Sequence, residues 1–151
     1  MSARPPKRTL ARSAARLAAV QALYQREMEG TALARLLDEF HRHRLGAVIG
    51  EEDHAEAEMA FFDDVVSGVD ARGDEIDLLL SERLAQGWNL ARLDKTMLQV
   101  LRAGAYELLA REDVPVATVI NEYVDVAKAF FDDREAKFVN GVLDALAKQV
   151  R

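Results

Sequence analysis

The chain has 151 residues, half of them hydrophobic and 30% charged, which suits one globular domain and excludes both disorder and two large domains. It contains no cysteine, so disulfides and thiolate metal sites are excluded and a reducing compartment fits. The net charge of -6 hides an asymmetry: six of the 20 basic residues fall within positions 1–26, and none of the 26 acidic ones does.

Apolar runs are short and broken by charge, so nothing is expected to span a membrane. The N-terminus lacks the apolar stretch of a secretory signal. It shares an arginine-bearing, acid-free composition with transit peptides, but it runs without a break into a patterned helix.

The periodicity is helical almost throughout. Thr9 is placed to cap a first helix reaching Met28, with Gly30 as its stop. Thr31 opens a short helix carrying Leu33, Leu36, Leu37 and Phe40, and the two-glycine stretch "RLGAVIGEEDH" reads as a loop. Asp53, with Glu56 three residues on, resembles a capping box before a helix through Phe61, Phe62, Val65, Val66 and Val69. After "DARGDE" a short helix is expected over 74–87, ending at Gly87. Asp94 caps the next, through Met97, Leu98, Leu101, Ala105, Leu108 and Leu109. Pro115 leads into a helix with Val116, Val119, Ile120, Tyr123, Ala127 and Phe130 on one side. Asp132 or Asp133 caps the last, over 134–149. This makes about seven helices with short connections, an all-α chain.

Catalytic signatures are missing. His41 and His43 lie two apart and point to opposite sides of a helix, so they cannot share a metal. From Asp70 a calcium loop would need glycine and glutamate where Glu75 and Ser81 stand. Asp63-Asp64 and Asp132-Asp133 diverge as neighbours do, and no nucleophile elbow or phosphate loop is present. The expectation is a binding protein with no catalytic residue, metal or cofactor.

The first helix gathers Arg8, Arg12, Arg16 and Arg26 on one side and Leu10, Leu17, Tyr24 and Met28 on the other. All that charge has one sign, so no i,i+4 pair offsets it. Arginine pairs bidentately with phosphate and stacks on bases, which suits single-stranded RNA. The competing reading is an ordinary solvated helix face.

The stretches "RAGAYELLAREDVPVATVINEYVDVAKAF" and "AKFVNGVLDAL", with the early "RLAAVQALYQ" behind an arginine-bearing leader, resemble the NusB family of bacterial transcription antitermination factors. Residues 30 to 90 fit by helix pattern only. The resemblance implies two small helical bundles packed into one domain over 1–151, with 1–8 a flexible basic leader. It implies binding of boxA RNA together with a small-subunit ribosomal protein acting as NusE. That complex joins elongating RNA polymerase with other Nus factors in the cytoplasm, notably on ribosomal RNA operons, without catalysis. Carried over by position, the RNA-binding residues are Lys7, Arg8, Arg12, Arg16, Tyr24, Lys137, Phe138, Asn140 and Gly141. Departures are Ser13, Ala14 and Ala15 interrupting the arginines, Arg134 where relatives can hold an acid, and Met97 where a charge is common. A similar domain also precedes ribosomal RNA cytosine methyltransferases, and a protein-only adaptor or a homodimer would use the same helical faces differently.

Asn140-Gly141 is a turn signal inside a helical pattern. Because Val139, Val142, Leu143 and Leu146 keep register across it, the pair belongs to a helix. Gly141, Lys137, Asn140, Asp144 and Lys148 fall on the side away from that stripe. A bare patch of backbone there suits close approach by another molecule; a helix crossing or a tolerated defect are the alternatives. Phe138 lies on the flank of the stripe, equally a base-stacking ring or a core residue.

Overall fold

The computed structural model describes residues 7–42 and 52–151, and the side chains at 11–42 and 58–151 among them. Seven α-helices lie in that part, with no strand among the described residues. They are α1 (Lys7–Glu29), α2 (Leu33–Phe40), α3 (Glu52–Ala71), α4 (Gly73–Ser81), α5 (Lys95–Ala110), α6 (Val116–Phe130) and α7 (Asp133–Val150), with a 3-10 turn at Leu90–Arg92 before α5. None of the described helices is long and apolar enough to cross a membrane.

The helix α5 explains the architecture. From Met97 to Leu108 every residue but Arg102 is buried, and α1, α3, α4, α6 and α7 all pack against it. A helix buried on nearly all sides sits inside, and its buried polar Glu107 is held by Arg16. Around it α1, α2 and α3 form one bundle and α4, α6 and α7 complete the other, with one continuous core between them. Arg12 meets Glu58 at 3.1 Å and Arg26 meets Asp70 at 2.8 Å, so α1 and α3 run side by side in the same direction.

Two glycines set the spacing. A Cβ on Gly68 would stand 2.1 Å from the Tyr106 ring, so that ring lies on bare α3 backbone. A Cβ on Gly104 would stand 2.8 Å from Leu143 Cδ1, which lets α7 close on α5. Both are absences of side chain that packing demands.

Two of the expected acid caps form. Asp94 Oδ1 accepts from the N–H groups of Thr96 (2.8 Å) and Met97 (3.1 Å), and Asp132 Oδ1 from that of Arg134 (3.0 Å). At the other end of α5 the Arg151 guanidinium donates to the carbonyls of Glu107, Leu108, Arg111 and Val114 at 2.7–3.0 Å, supplying partners that a helix C-terminus lacks.

Five local expectations change, the first being Thr9, which lies inside α1 rather than at its cap. The helix expected to reach Gly87 ends at Ser81, whose Oγ donates to the Asp77 carbonyl at 2.7 Å, and Arg83 N–H turns back three residues to Leu80. Glu52 is already helical, so Asp53 lies within the first turn of α3 rather than at its cap. Lys7 and Arg8 likewise belong to α1 rather than to a leader reaching position 8; residues 1–6 lie outside the described part. Phe130, expected on the core side of α6, is exposed, while Phe131 packs against the core. The "RLGAVIGEEDH" loop, with His43 and His54, is outside the described residues or side chains. His41 meets Asp63 at 2.5 Å.

Candidate nucleic-acid interface

The helix α1 is turned opposite to its expected orientation. Its buried side carries Ala15, Ala19 and Leu23, and Arg12, Arg16 and Arg26 project from that same side. The small alanines let α3 and α5 come close, and acids on neighbouring helices meet the arginines. The side expected to be apolar is the open one: Tyr24 is 39% exposed and Met28 55%.

Arg16 corrects the expected phosphate set. It is 1% exposed, with Nε and Nη2 donating to Glu107 at 2.9 and 3.0 Å and Nη1 to Glu122 at 3.1 Å. Ser13 Oγ also donates to Glu122 at 2.9 Å, and Tyr123 OH donates to Glu107. Burial, the largest single influence, pulls the Arg16 pKa down, but the Glu107 bond and the charges of Glu107 and Glu122 together outweigh it, and the guanidinium is held charged. Burial, reinforced by the Glu107 charge, pushes the Tyr123 phenol well above its usual value. A guanidinium so enclosed cannot reach a phosphate; it orders the junction of α1, α5 and α6.

Arg12 is intermediate. Its Nε bonds Glu58 at 3.1 Å and its guanidinium lies 4.4 Å from the Phe61 ring centroid, where Arg16 and Arg111 also stack at 4.9 Å. Nε alone is engaged among the described hydrogen bonds of Arg12, and the side chain keeps 24% exposure beside a cleft with Thr118 and Glu122. Lys7 and Arg8 have side chains outside the described part.

The remaining candidates are at the surface. Tyr24 lines a cleft of about 340 Å³ with Val20, Met28, Thr96 and Phe130. Lys137 and Asn140 line a second groove, of about 330 Å³, with Val124, Lys128, Asp133 and Ala136. Phe138 is 37% exposed, which places its ring at the surface rather than in the core. A Cβ on Gly141 would meet nothing within 4 Å, so no helix crosses there and the backbone is bare. Met97, beside the expected RNA edge, is buried.

Arg12 and Arg16, Tyr24, and Lys137 with Asn140 thus line three clefts rather than one, and α6 borders each: Thr118 and Glu122 near its start, Val124 and Lys128 in its middle, Phe130 at its end. Lys128 and Phe130 are the residues that sequence reasoning missed. Phe130 follows the helical apolar period, so periodicity alone assigns it to the core. Lys128 has Asp125 three residues before it, which reads as a local pair that the structure does not form. No group of three or more His, Asp or Glu that could hold a metal occurs among the described residues.

A family model of the NusB family matches residues 13–148. The transcription antitermination protein NusB of Novosphingobium aromaticivorans is 74% identical over 141 residues, 93% of this chain and 95% of that protein. The solved structure of T. maritima NusB matches with a TM-score of 0.76 at 31% identity, covering 97% of this chain and 94% of that one. A structure of antitermination factors NusB and NusE in complex with dsRNA matches with a TM-score of 0.75 at 26% identity, covering 92% and 97%.

Proposed function

The chain belongs to the NusB family, and from that premise we propose that it binds boxA-type single-stranded RNA through the open side of α1 and the first turns of α7. It is a transcription antitermination factor. Its protein partner is a small-subunit ribosomal protein acting as NusE, in keeping with the NusB–NusE–dsRNA complex it resembles. Together they join elongating RNA polymerase with other Nus factors in the cytoplasm, notably on ribosomal RNA operons. The action is binding alone, with no chemical step and no cofactor. The whole chain, 1–151, acts as one unit.

One observation carries the RNA reading. Lys137, Phe138, Asn140 and Gly141 are all exposed within two turns of α7: Lys137 and the bare backbone of Gly141 share one side, with the Asn140 amide on one flank and the Phe138 ring on the other. Single-stranded RNA is recognised by that combination: charge on phosphate, a ring under a base, amide bonds to base edges. Tyr24 offers a second exposed ring, and Arg12, Lys7 and Arg8 supply charge from α1. Arg16 acts indirectly, by fixing α1.

A protein-only adaptor is the second reading, and the internal pairing of Arg12, Arg16 and Arg26 favours it. Anisotropy titrations of a boxA oligonucleotide, with and without the ribosomal protein and across salt concentrations, separate the two. Affinity is expected to fall steeply with salt, and Phe138→Ala to cost about 1–3 kcal/mol of RNA binding. Gly141→Ala is expected to weaken RNA binding while raising helix stability by up to about 1 kcal/mol. Partner binding that persists while none of these changes alters RNA affinity would establish the adaptor.

A further inference from the structure

Among the described residues, positive charge is mostly matched internally. Every described arginine from Arg12 to Arg111 holds a carboxylate or a backbone carbonyl. Lys148 pairs with Asp144 at 3.2 Å, and Arg151 is spent on carbonyls. Among the described residues four cationic side chains engage neither: Lys95, Lys128, Arg134 and Lys137. Three of those four gather where α6 gives way to α7, and all three are exposed.

The same corner has a shape. Lys128 from α6 and Lys137 from α7 line one groove of about 330 Å³, with Val124 and Ala136 as its apolar part and Asn140 at its side. Asp133 is the only acid among the lining residues. Arg134 stands three residues before Lys137, one turn along the same helix. The groove is therefore cationic on a chain whose net charge is -6. Unpaired ammonium groups do not contribute to the fold through ion pairs, and a like-charged pair across a groove costs stability until an anion lies between.

We propose that this α6–α7 groove is a track for the RNA backbone, and that Lys128 contacts phosphate in it. The inference rests on the RNA reading of the neighbouring Lys137 and Asn140, and extends it to a residue on a different helix. The strand leaves the Phe138 ring side, passes the bare backbone at Gly141 and Lys137, and continues between the two lysines. Val124 and Ala136 give sugar edges an apolar floor, and the Asn140 amide can both donate to and accept from a 2′-hydroxyl. Lys128 reads no base, so its contribution is independent of sequence.

The full chain with Lys128→Gln tests this, titrated against a boxA oligonucleotide and a scrambled one of equal length at several salt concentrations. Lys137→Gln and Lys148→Gln are compared in parallel, each removing one charge from α7. Loss of one phosphate contact lowers the slope of log affinity against log salt by about 0.7 and weakens both oligonucleotides by the same factor. Lys128→Arg retains most of the binding, and Lys148→Gln, distant from the groove, binds within about twofold of the parent. Parental affinity in Lys128→Gln with weakened Lys137→Gln overturns the track and leaves the RNA reading standing. Parental affinity in both overturns the two together. A loss without a change of salt slope, or a loss confined to the ribosomal protein partner, also overturns the phosphate assignment. Lys128 is exposed and makes no hydrogen bond among the described residues, so the variant is expected to melt at or slightly above the parent temperature.

Discussion

Arg12 and Arg16 stand four residues apart on the same side of α1, yet they have different physics. Arg16 is enclosed, and removing it strands Glu107 inside the protein with Tyr123 OH as its remaining donor. Breaking a buried pair from one side typically costs about 3–5 kcal/mol, because the surviving charge is uncompensated. Arg16→Met is therefore expected to lower urea stability by about that amount, and adding Glu107→Gln to recover part of it. A loss under about 1 kcal/mol would mean that the cluster does not depend on its guanidinium. RNA affinity measured well below the midpoint of unfolding should change far less than in Lys137→Gln. Arg12 is bonded through Nε alone among the described hydrogen bonds and keeps 24% exposure at the edge of a cleft, so its replacement is expected to move binding more than folding.

Among elements, the helices carry glycine for opposite reasons. Gly68 on α3 supports the Tyr106 ring, whose OH donates to Asp64 at 2.7 Å and so cannot swing away without losing that bond. Gly68→Ala is expected to destabilise by about 1–3 kcal/mol, an overpacking cost, read as a drop in melting temperature. Gly141→Ala meets no atom and should shift melting the other way. Two glycines mid-helix look alike in sequence; what distinguishes them is a neighbour on another helix. The same holds for α1. Its 3.6-residue period was legible, and so was its end within a residue, but its start lies further upstream than expected, and which side faces inward was not legible. Alanine stripes are weakly apolar, and an arginine beside them reads as solvated until acids from α3, α5 and α6 are known to converge on it. Caps were better read: Asp94 and Asp132 act on N–H groups two or three residues away, a matter settled within one turn.

Over the whole molecule, the internal matching of charge ties stability to pH at the alkaline end. Burial, with the Asp64 bond adding to it, raises the Tyr106 phenol to about 12 from its usual 10. A group whose folded pKa is raised binds its proton more tightly when folded, so its stabilisation is complete below the unfolded value and disappears as pH climbs through the folded one. Melting temperature is accordingly expected to fall from about pH 10 toward about pH 12, with Tyr123, raised for the same cause, acting in the same direction. Tyr106→Phe should flatten part of that fall; an unchanged slope in the variant would remove Tyr106 from the explanation. The acidic body also bears on association: a -6 chain repels RNA at distance, so attraction depends on local approach to the lysines lining the α6–α7 groove, past Asp125, Asp132 and Glu135 nearby.

By itself the sequence determined the helical class, the succession of the helices and most of their ends, two acid caps, and the surface position of Lys137, Asn140 and Gly141. These depend on periods and contacts within one or two turns, which the order of residues encodes directly. Its ordered matches at both ends of the chain also pointed to the family. Only the tertiary structure decided that Arg16 is enclosed and Tyr24 open, that Phe138 is a surface ring, and that Lys128 faces Lys137 across a groove. Each of those outcomes depends on which helix lies alongside. A guanidinium goes inside when two carboxylates from distant segments outweigh its desolvation, and a lysine stays free when its nearest acids in sequence point elsewhere in space.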